Sequence, residues 1–170
     1  MTDPQTNPAP SLPSIHVAVL GIGMMGLPMG RRLCEAGCRV SAWNRSRAKA
    51  DRLAPFGARV ADSVADAVRE ADIVITLLED GGVVEDVLFH QGAAAAMRRG
   101  SLVVDMSSIQ PRQARDHAAR LNALGVQHLD APVSGGTVGA EQGTLAIMVG
   151  GKPADLARAQ PVFEIFGRAT

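Results

Sequence analysis

"IHVAVLGIGMMGLPMG" (Ile15–Gly30) decides the fold. Its first six residues, Ile15 to Leu20, form a short apolar, β-branched run that stops at a glycine, the pattern of a buried strand. Beyond it Met25, Met29 and Leu33 recur at helical spacing, and Gly37 closes the helix. Pro28 falls in the first turn, where a missing N–H costs little. Between strand and helix stand Gly21, Gly23 and Gly26, spaced G-x-G-x-x-G. That spacing alone is weak. With a strand before it and a helix behind it, it marks a dinucleotide-binding turn. Gly21 permits the tight turn, Gly23 lets a pyrophosphate approach the backbone, and Gly26 lets the helix pack on the strand. The free N–H groups around Met24 and Met25 then face the phosphates at the positive end of the helix.

Strand and helix keep alternating outward from this turn. "CRVSAW" reads as a second strand and "SRAKADRLAPFG" as a helix with Ser46 at its N-cap. A short strand, "ARV", precedes the helix "SVADAVREA", capped by Asp62 or Ser63. "DIVITLL" is a strong strand, followed by the helix "GGVVEDVLF" and a helical turn or loop at "GAAAAMRRG". "SLVVDMS" is a strand, and "PRQARDHAARLNALG" a helix with proline at its start and glycine past its end. "VQHLDA" and "TLAIMVGG" are strands, and "PADLARAQPVFEIFG" is the last helix. The expected fold is α/β: a Rossmann-type, doubly wound, mainly parallel sheet with helices on both faces. No internal linker is visible, so residues 15–170 are expected to form one unit.

The totals agree with this reading. A chain of 170 residues is long enough for a real core, and aromatics at 3% make that core largely aliphatic. Zero net charge offers no field for nucleic acid or an anionic membrane. No apolar run approaches the roughly 20 residues of a membrane span. Met1 to Ser14 carries four of the ten prolines and no signal-peptide pattern, and is expected to be a disordered tail. Cys34 and Cys38 have no further ligands nearby, so they read as reduced thiols of a cytoplasmic protein rather than a metal pair.

The ends of the strands carry the cofactor readings. NAD-binding domains place a carboxylate at the end of the second strand. Here that end reads Trp43-Asn44-Arg45-Ser46, and Arg45 suits a 2′-phosphate, which favours NADP and leaves NAD possible. Leu77 and Leu78 close the central strand and should reach the cofactor, while Glu79 and Asp80 read either as functional groups or as a turn and cap. Ser107 and Ser108 are placed either to meet the nicotinamide ribose or carboxamide, or simply to cap the helix that follows.

In order along the chain, "GIGMMGLPMG", "WNRS", "DMSSIQP" and "DAPVSGGTVGAEQGTLAIMVGG" resemble the β-hydroxyacid dehydrogenase family, above all its 3-hydroxyisobutyrate dehydrogenase and 2-hydroxy-3-oxopropionate reductase branches. More distantly they resemble the nucleotide-binding half of 6-phosphogluconate dehydrogenase. The resemblance covers about residues 15–170. It implies cofactor contacts at Gly21, Gly23, Met24, Met25 and Gly26, with Asn44, Arg45 and Ser46 around the adenosine ribose. It places Leu78 and Ser108 nearer the nicotinamide, and Ser134, Gly135 and Gly136 on the carboxylate and hydroxyl of a small hydroxyacid or semialdehyde. Many members have Leu-Pro where this chain has Leu78-Glu79, which leaves that loop's role open.

The family's general acid/base is a lysine on a helix after the nucleotide domain, followed by a helical domain that completes the pocket and the homo-oligomer. Both are expected beyond Thr170. Lys49 and Lys152 do not stand in that motif, so no catalytic residue is assigned within the chain. Two alternatives are a non-catalytic NADP-binding module and an imine reductase-like member. The Ser-Gly-Gly stretch argues against the latter.

Overall fold

A computed structural model describes residues 12–170. Six parallel strands form the central sheet: β1 (His16–Leu20), β2 (Arg39–Trp43), β3 (Arg59–Val60), β4 (Ile73–Thr76), β5 (Leu102–Asp105) and β6 (Gln127–Asp130). Their order is β3-β2-β1-β4-β5-β6, the doubly wound arrangement. The strands are short and apolar because both faces are covered. Alternate residues feed two cores. Val17, Val19, Ile73, Ile75, Leu102 and Val104 pack with α1 (Gly26–Glu35) and α8 (Pro153–Phe166). Ala18, Leu20, Val74 and Val103 pack on the opposite side, with α3 (Val64–Val68), α4 (Gly81–Glu85), α5 (Ala93–Ala96) and α6 (Pro111–Ala123). The cores are mostly aliphatic, though α8 sets Phe163 and Phe166 fully buried beneath the sheet.

Several local expectations change. Leu12–Ser14, expected within a disordered tail, are ordered: they form a 3-10 turn, the Ile15 N–H bonds to the Leu12 carbonyl, and Leu12 packs on the core. Residues 1–11 lie outside those described. The long helix read from Ser46 is split into α2 (Arg47–Asp51) and a 3-10 turn, Ala54–Phe56. Pro55 has no N–H to continue an α-helical ladder, and Gly57 turns the chain at φ +105°. Ser46 occupies the N-cap of α2 without a side-chain bond, whereas the Ser63 hydroxyl accepts from the Asp66 N–H and caps α3. Past Glu85, α4 continues as a π-turn, Asp86–His90.

The Ser-Gly-Gly stretch differs most. Val133–Ser134 (β7) pairs antiparallel with β8 (Leu145–Ile147), and Gly136–Gln142 (α7) is a short helix between them. A further strand absent from the sequence reading, β9 (Gly167–Ala169), runs parallel to β8 and completes a separate three-stranded sheet. Thus the strand within "TLAIMVGG" belongs to this second sheet, and the stretch meets the central sheet through an antiparallel bridge between Gly150 and Asp130 at the end of β6.

Candidate cofactor crevice

β1 leads to β2 and β3 on one side, while β4 leads to β5 and β6 on the other. The opening between these two directions lies past the carboxyl ends of β1 and β4, where doubly wound folds bind ligands. The three glycines there have separate duties. Gly21 has φ +108° and donates to the Trp43 carbonyl at 2.9 Å; a Cβ on it would overlap the Leu77 carbonyl oxygen. A Cβ on Gly26 would overlap the Gly21 carbonyl oxygen, so the helix can approach the strand only with glycine here. A Cβ on Gly23 meets nothing within 4 Å, so its bareness leaves open space rather than serving protein packing.

Helix α1 begins beside that space with no side-chain cap and no acidic residue in its first turn. Among the described residues, no acceptor takes the N–H of Gly23, Met24 or Met25. Free N–H groups at the positive end of a helix attract an anion. The turn is held by Asn44: its Oδ1 accepts from the Ile22 N–H at 2.8 Å and its Nδ2 donates to the Ser46 carbonyl at 3.0 Å. Asn44 therefore ties the end of β2 to the glycine turn, a role beyond the ribose contact expected of it.

The crevice has two lobes, which share Gly23, Leu77, Leu78 and Glu79. One, of about 690 Å³, is lined by Trp43, Asn44, Arg45, Ser46 and Lys49 against Val83, Asp86 and Gln91 from α4 and its π-turn. Arg45 and Lys49 are exposed and form no ion pair among the described residues, whereas nearby Arg47 pairs with Asp62 and Asp51. Lys49 was not read as a cofactor residue. Its spacing of four from Arg45 was the available signal.

The second lobe, of about 430 Å³, is lined by Met24, Met25 and Gly26, by Met106, Ser107 and Ser108 after β5, and by Val133 and Gly136. Ser108 is exposed and does not cap α6; the cap is Gln110, whose N–H donates to the Gln113 side chain at 3.0 Å. Ser107 is buried and structural. Its hydroxyl accepts from the Leu78 N–H at 2.9 Å and donates to the Thr76 carbonyl at 3.4 Å. Of the three residues expected on substrate, Gly136 lines this lobe, while Ser134 and Gly135 do not. All the other expected cofactor residues line one lobe or the other.

Beneath this lobe Asp105 is fully buried. Its Oδ1 accepts from the Thr76 hydroxyl at 2.8 Å and the Ser107 N–H at 3.0 Å, and its Oδ2 has no partner. Burial pushes this carboxyl up to about 6, against the pull of those two bonds, with Asp130 adding repulsion. His128, in β6, is buried with its Nε2 unpartnered, and burial together with His117 lowers it to about 4. It lines neither lobe, so it is a core histidine.

The raised Asp105 fixes the sign of a pH effect. An acid with a folded pKa near 6 and an unfolded value near 3.8 disfavours folding once ionised. That penalty is absent below about pH 4 and full above about pH 6, reaching roughly 2–3 kcal/mol at about 1.4 kcal/mol per pKa unit. The Asp105→Asn variant keeps an acceptor for Thr76 and Ser107 without the charge. Its stability relative to the parent should therefore fall by about 2–3 kcal/mol between pH 7 and pH 4. Urea unfolding at both pH values measures the difference, and a difference independent of pH would refute it.

Fold and crevice together define a nicotinamide-dinucleotide-binding domain. Residues 16–170 match the family described as the NAD binding domain of 6-phosphogluconate dehydrogenase, and the chain belongs to this family, as a β-hydroxyacid dehydrogenase-type N-terminal domain. It is 40% identical to the 2-hydroxy-3-oxopropionate reductase of Escherichia coli K12, over 91% of this chain and 53% of that protein. It is 42% identical to the NAD-dependent L-serine dehydrogenase of Pseudomonas aeruginosa, over 90% of this chain and 52% of that protein. In structure it is similar to Mycobacterium tuberculosis 3-hydroxyisobutyrate dehydrogenase solved with L-serine. That match has a TM-score of 0.88 and 40% identity, covering 92% of this chain and 53% of the other. The chain spans about half the length of these relatives.

Among the described residues, no helix is long and apolar enough to cross a membrane, and no group of three or more acidic, histidine or cysteine side chains is placed to hold a metal ion. Cys34 and Cys38 are free thiols, each made less acidic by burial.

Proposed function

We propose that residues 15–170 are the cofactor-binding unit of an NADP-dependent oxidoreductase acting on a small 3-hydroxy or 3-oxo acid, of the 3-hydroxyisobutyrate or 2-hydroxy-3-oxopropionate type. It works in the reducing cytoplasm, and its full-length form is a homo-oligomer. The bound nicotinamide supplies hydride exchange with the substrate carbon. This chain supplies position and electrostatics. The free N–H groups of Gly23, Met24 and Met25 hold the pyrophosphate. Arg45, Ser46 and Lys49 take the adenosine ribose and its 2′-phosphate, and Ser108 meets the nicotinamide side. Gly136 and the neighbouring Ser134-Gly135 edge receive the substrate's carboxylate and hydroxyl through backbone N–H groups and the serine hydroxyl.

The observation that carries the choice of NADP is the pair of unpaired cations, Arg45 and Lys49, in one lobe of the crevice. A charge-assisted bond contributes roughly 1.5–3 kcal/mol, and exposure moves the value toward the lower end. In calorimetric titrations, Arg45→Ala should weaken NADP about tenfold and leave NAD nearly unchanged. Equal losses for both would show that Arg45 does not read the 2′-phosphate.

A further inference from the structure

Glu79 lines both lobes of the crevice, and it is the one charged residue among those lining the Ser108 lobe. The rest of that lobe is methionine, leucine, valine, serine and glycine. Glu79 is exposed and has no hydrogen bond or ion pair among the described residues. Its neighbour Asp80 is committed to the fold, its Oδ1 capping α4 by accepting from the Val83 N–H at 2.9 Å. Glu79 is thus free to act on whatever fills the lobe. A mostly apolar lobe bearing a single carboxylate suits an aromatic cation better than a neutral ring.

Resting on the reading of this lobe as the nicotinamide end, we propose that Glu79 sets the preference of the domain for the oxidised over the reduced cofactor. The oxidised nicotinamide ring carries a positive charge that the reduced ring lacks. A carboxylate in the same lobe favours the charged ring and leaves the neutral one without a partner. Its repulsion of the pyrophosphate weakens both forms alike and cancels in their ratio. A unit charge pair about 4–6 Å apart in water-like surroundings changes an affinity ratio by roughly three- to sixfold. Salt reduces the effect.

The test is calorimetric titration of this chain with NADP⁺ and, separately, NADPH at low ionic strength. The ratio Kd(NADP⁺)/Kd(NADPH) should rise about three- to sixfold in Glu79→Gln. In Glu79→Lys it should rise further in the same direction. Far-ultraviolet circular dichroism checks that both variants remain folded. Binding of both forms with an unmoved or reversed ratio in the two variants overturns the role of Glu79 alone. Failure of the unsubstituted chain to bind either form overturns the reading of the crevice itself, and the proposal with it.

Discussion

NADPH oxidation by this chain should fall below detection with 2-hydroxy-3-oxopropionate, methylmalonate semialdehyde, succinic semialdehyde and glyoxylate. As a hydride reaches the carbonyl carbon, a proton must reach its oxygen from a group within roughly 2.6–3.2 Å. Among the described residues, the Ser108 lobe contains no lysine or histidine. Lys49 lies in the other lobe, and Lys152 is the N-cap residue of α8. His128 is buried in β6 and held neutral down to about pH 4. Serine hydroxyls are too weakly acidic to replace an ammonium group. General acid help is typically worth about 10²–10⁴-fold. The lobe is also open on one side, so little holds a substrate in line with the ring. Turnover near 1 s⁻¹, in the ordinary enzyme range of about 1–10³ s⁻¹, would defeat this expectation and reopen the search for an acid within the chain.

Two glycine substitutions should fail for opposite reasons. Gly23→Ala adds a methyl that meets no protein atom within 4 Å, so its thermal midpoint should stay within a degree or two of the parent. The methyl projects into the space beside the free N–H groups. Losing two charge-assisted bonds there, at roughly 1.5–3 kcal/mol each, should weaken cofactor binding by about 10²-fold or more. Gly21→Ala drives a methyl into the Leu77 carbonyl oxygen at a backbone φ of +108°. Strain of this kind costs on the order of 1–3 kcal/mol, and the steric overlap adds to it. The Gly21→Ala variant should melt well below the parent before binding is considered. Thermal unfolding and NADP titration of both variants separate the cases. A Gly23→Ala chain that binds normally would show that the open space is not where the pyrophosphate approaches.

The central sheet was legible because one short run carried two independent signals. Ile15–Leu20 gave the strand, and the spacing of Gly21, Gly23 and Gly26 set the turn to the helix. Residue type and position are enough to place Arg45 at the crevice, because it stands two residues past the end of a strand. Lys49 was harder to place, since it needed the start of α2 to be known within a residue. Asn44 was read as a ribose contact, yet its side-chain bonds to Ile22 and Ser46 depend on a fold around two strands. The strand at Leu145–Ile147 and the last helix are legible, whereas β7 and α7 are not, because the glycines between Val133 and Gly143 suggest turns locally. The pairing of β7, β8 and β9 joins residues far apart in sequence, and no local pattern reports it. Asp105 looked like the end of a strand. Its raised pKa arises from burial, with Asp130 adding repulsion, and residue order reveals neither.

The division of labour between Asn44 and Arg45 bears on how such a domain changes over generations. Asn44 anchors the glycine turn through two bonds, so on the proposed reading replacing it disturbs binding of either dinucleotide. Arg45, one residue on, is exposed and tied to nothing, so replacing it leaves the fold nearly untouched, within about 0.5 kcal/mol. Mutational drift at position 45 therefore passes through stable intermediates, each still able to hold a dinucleotide. On the proposed reading, preference between a phosphorylated and an unphosphorylated ribose can be gained or lost in single steps while the turn assigned to the pyrophosphate stays constant.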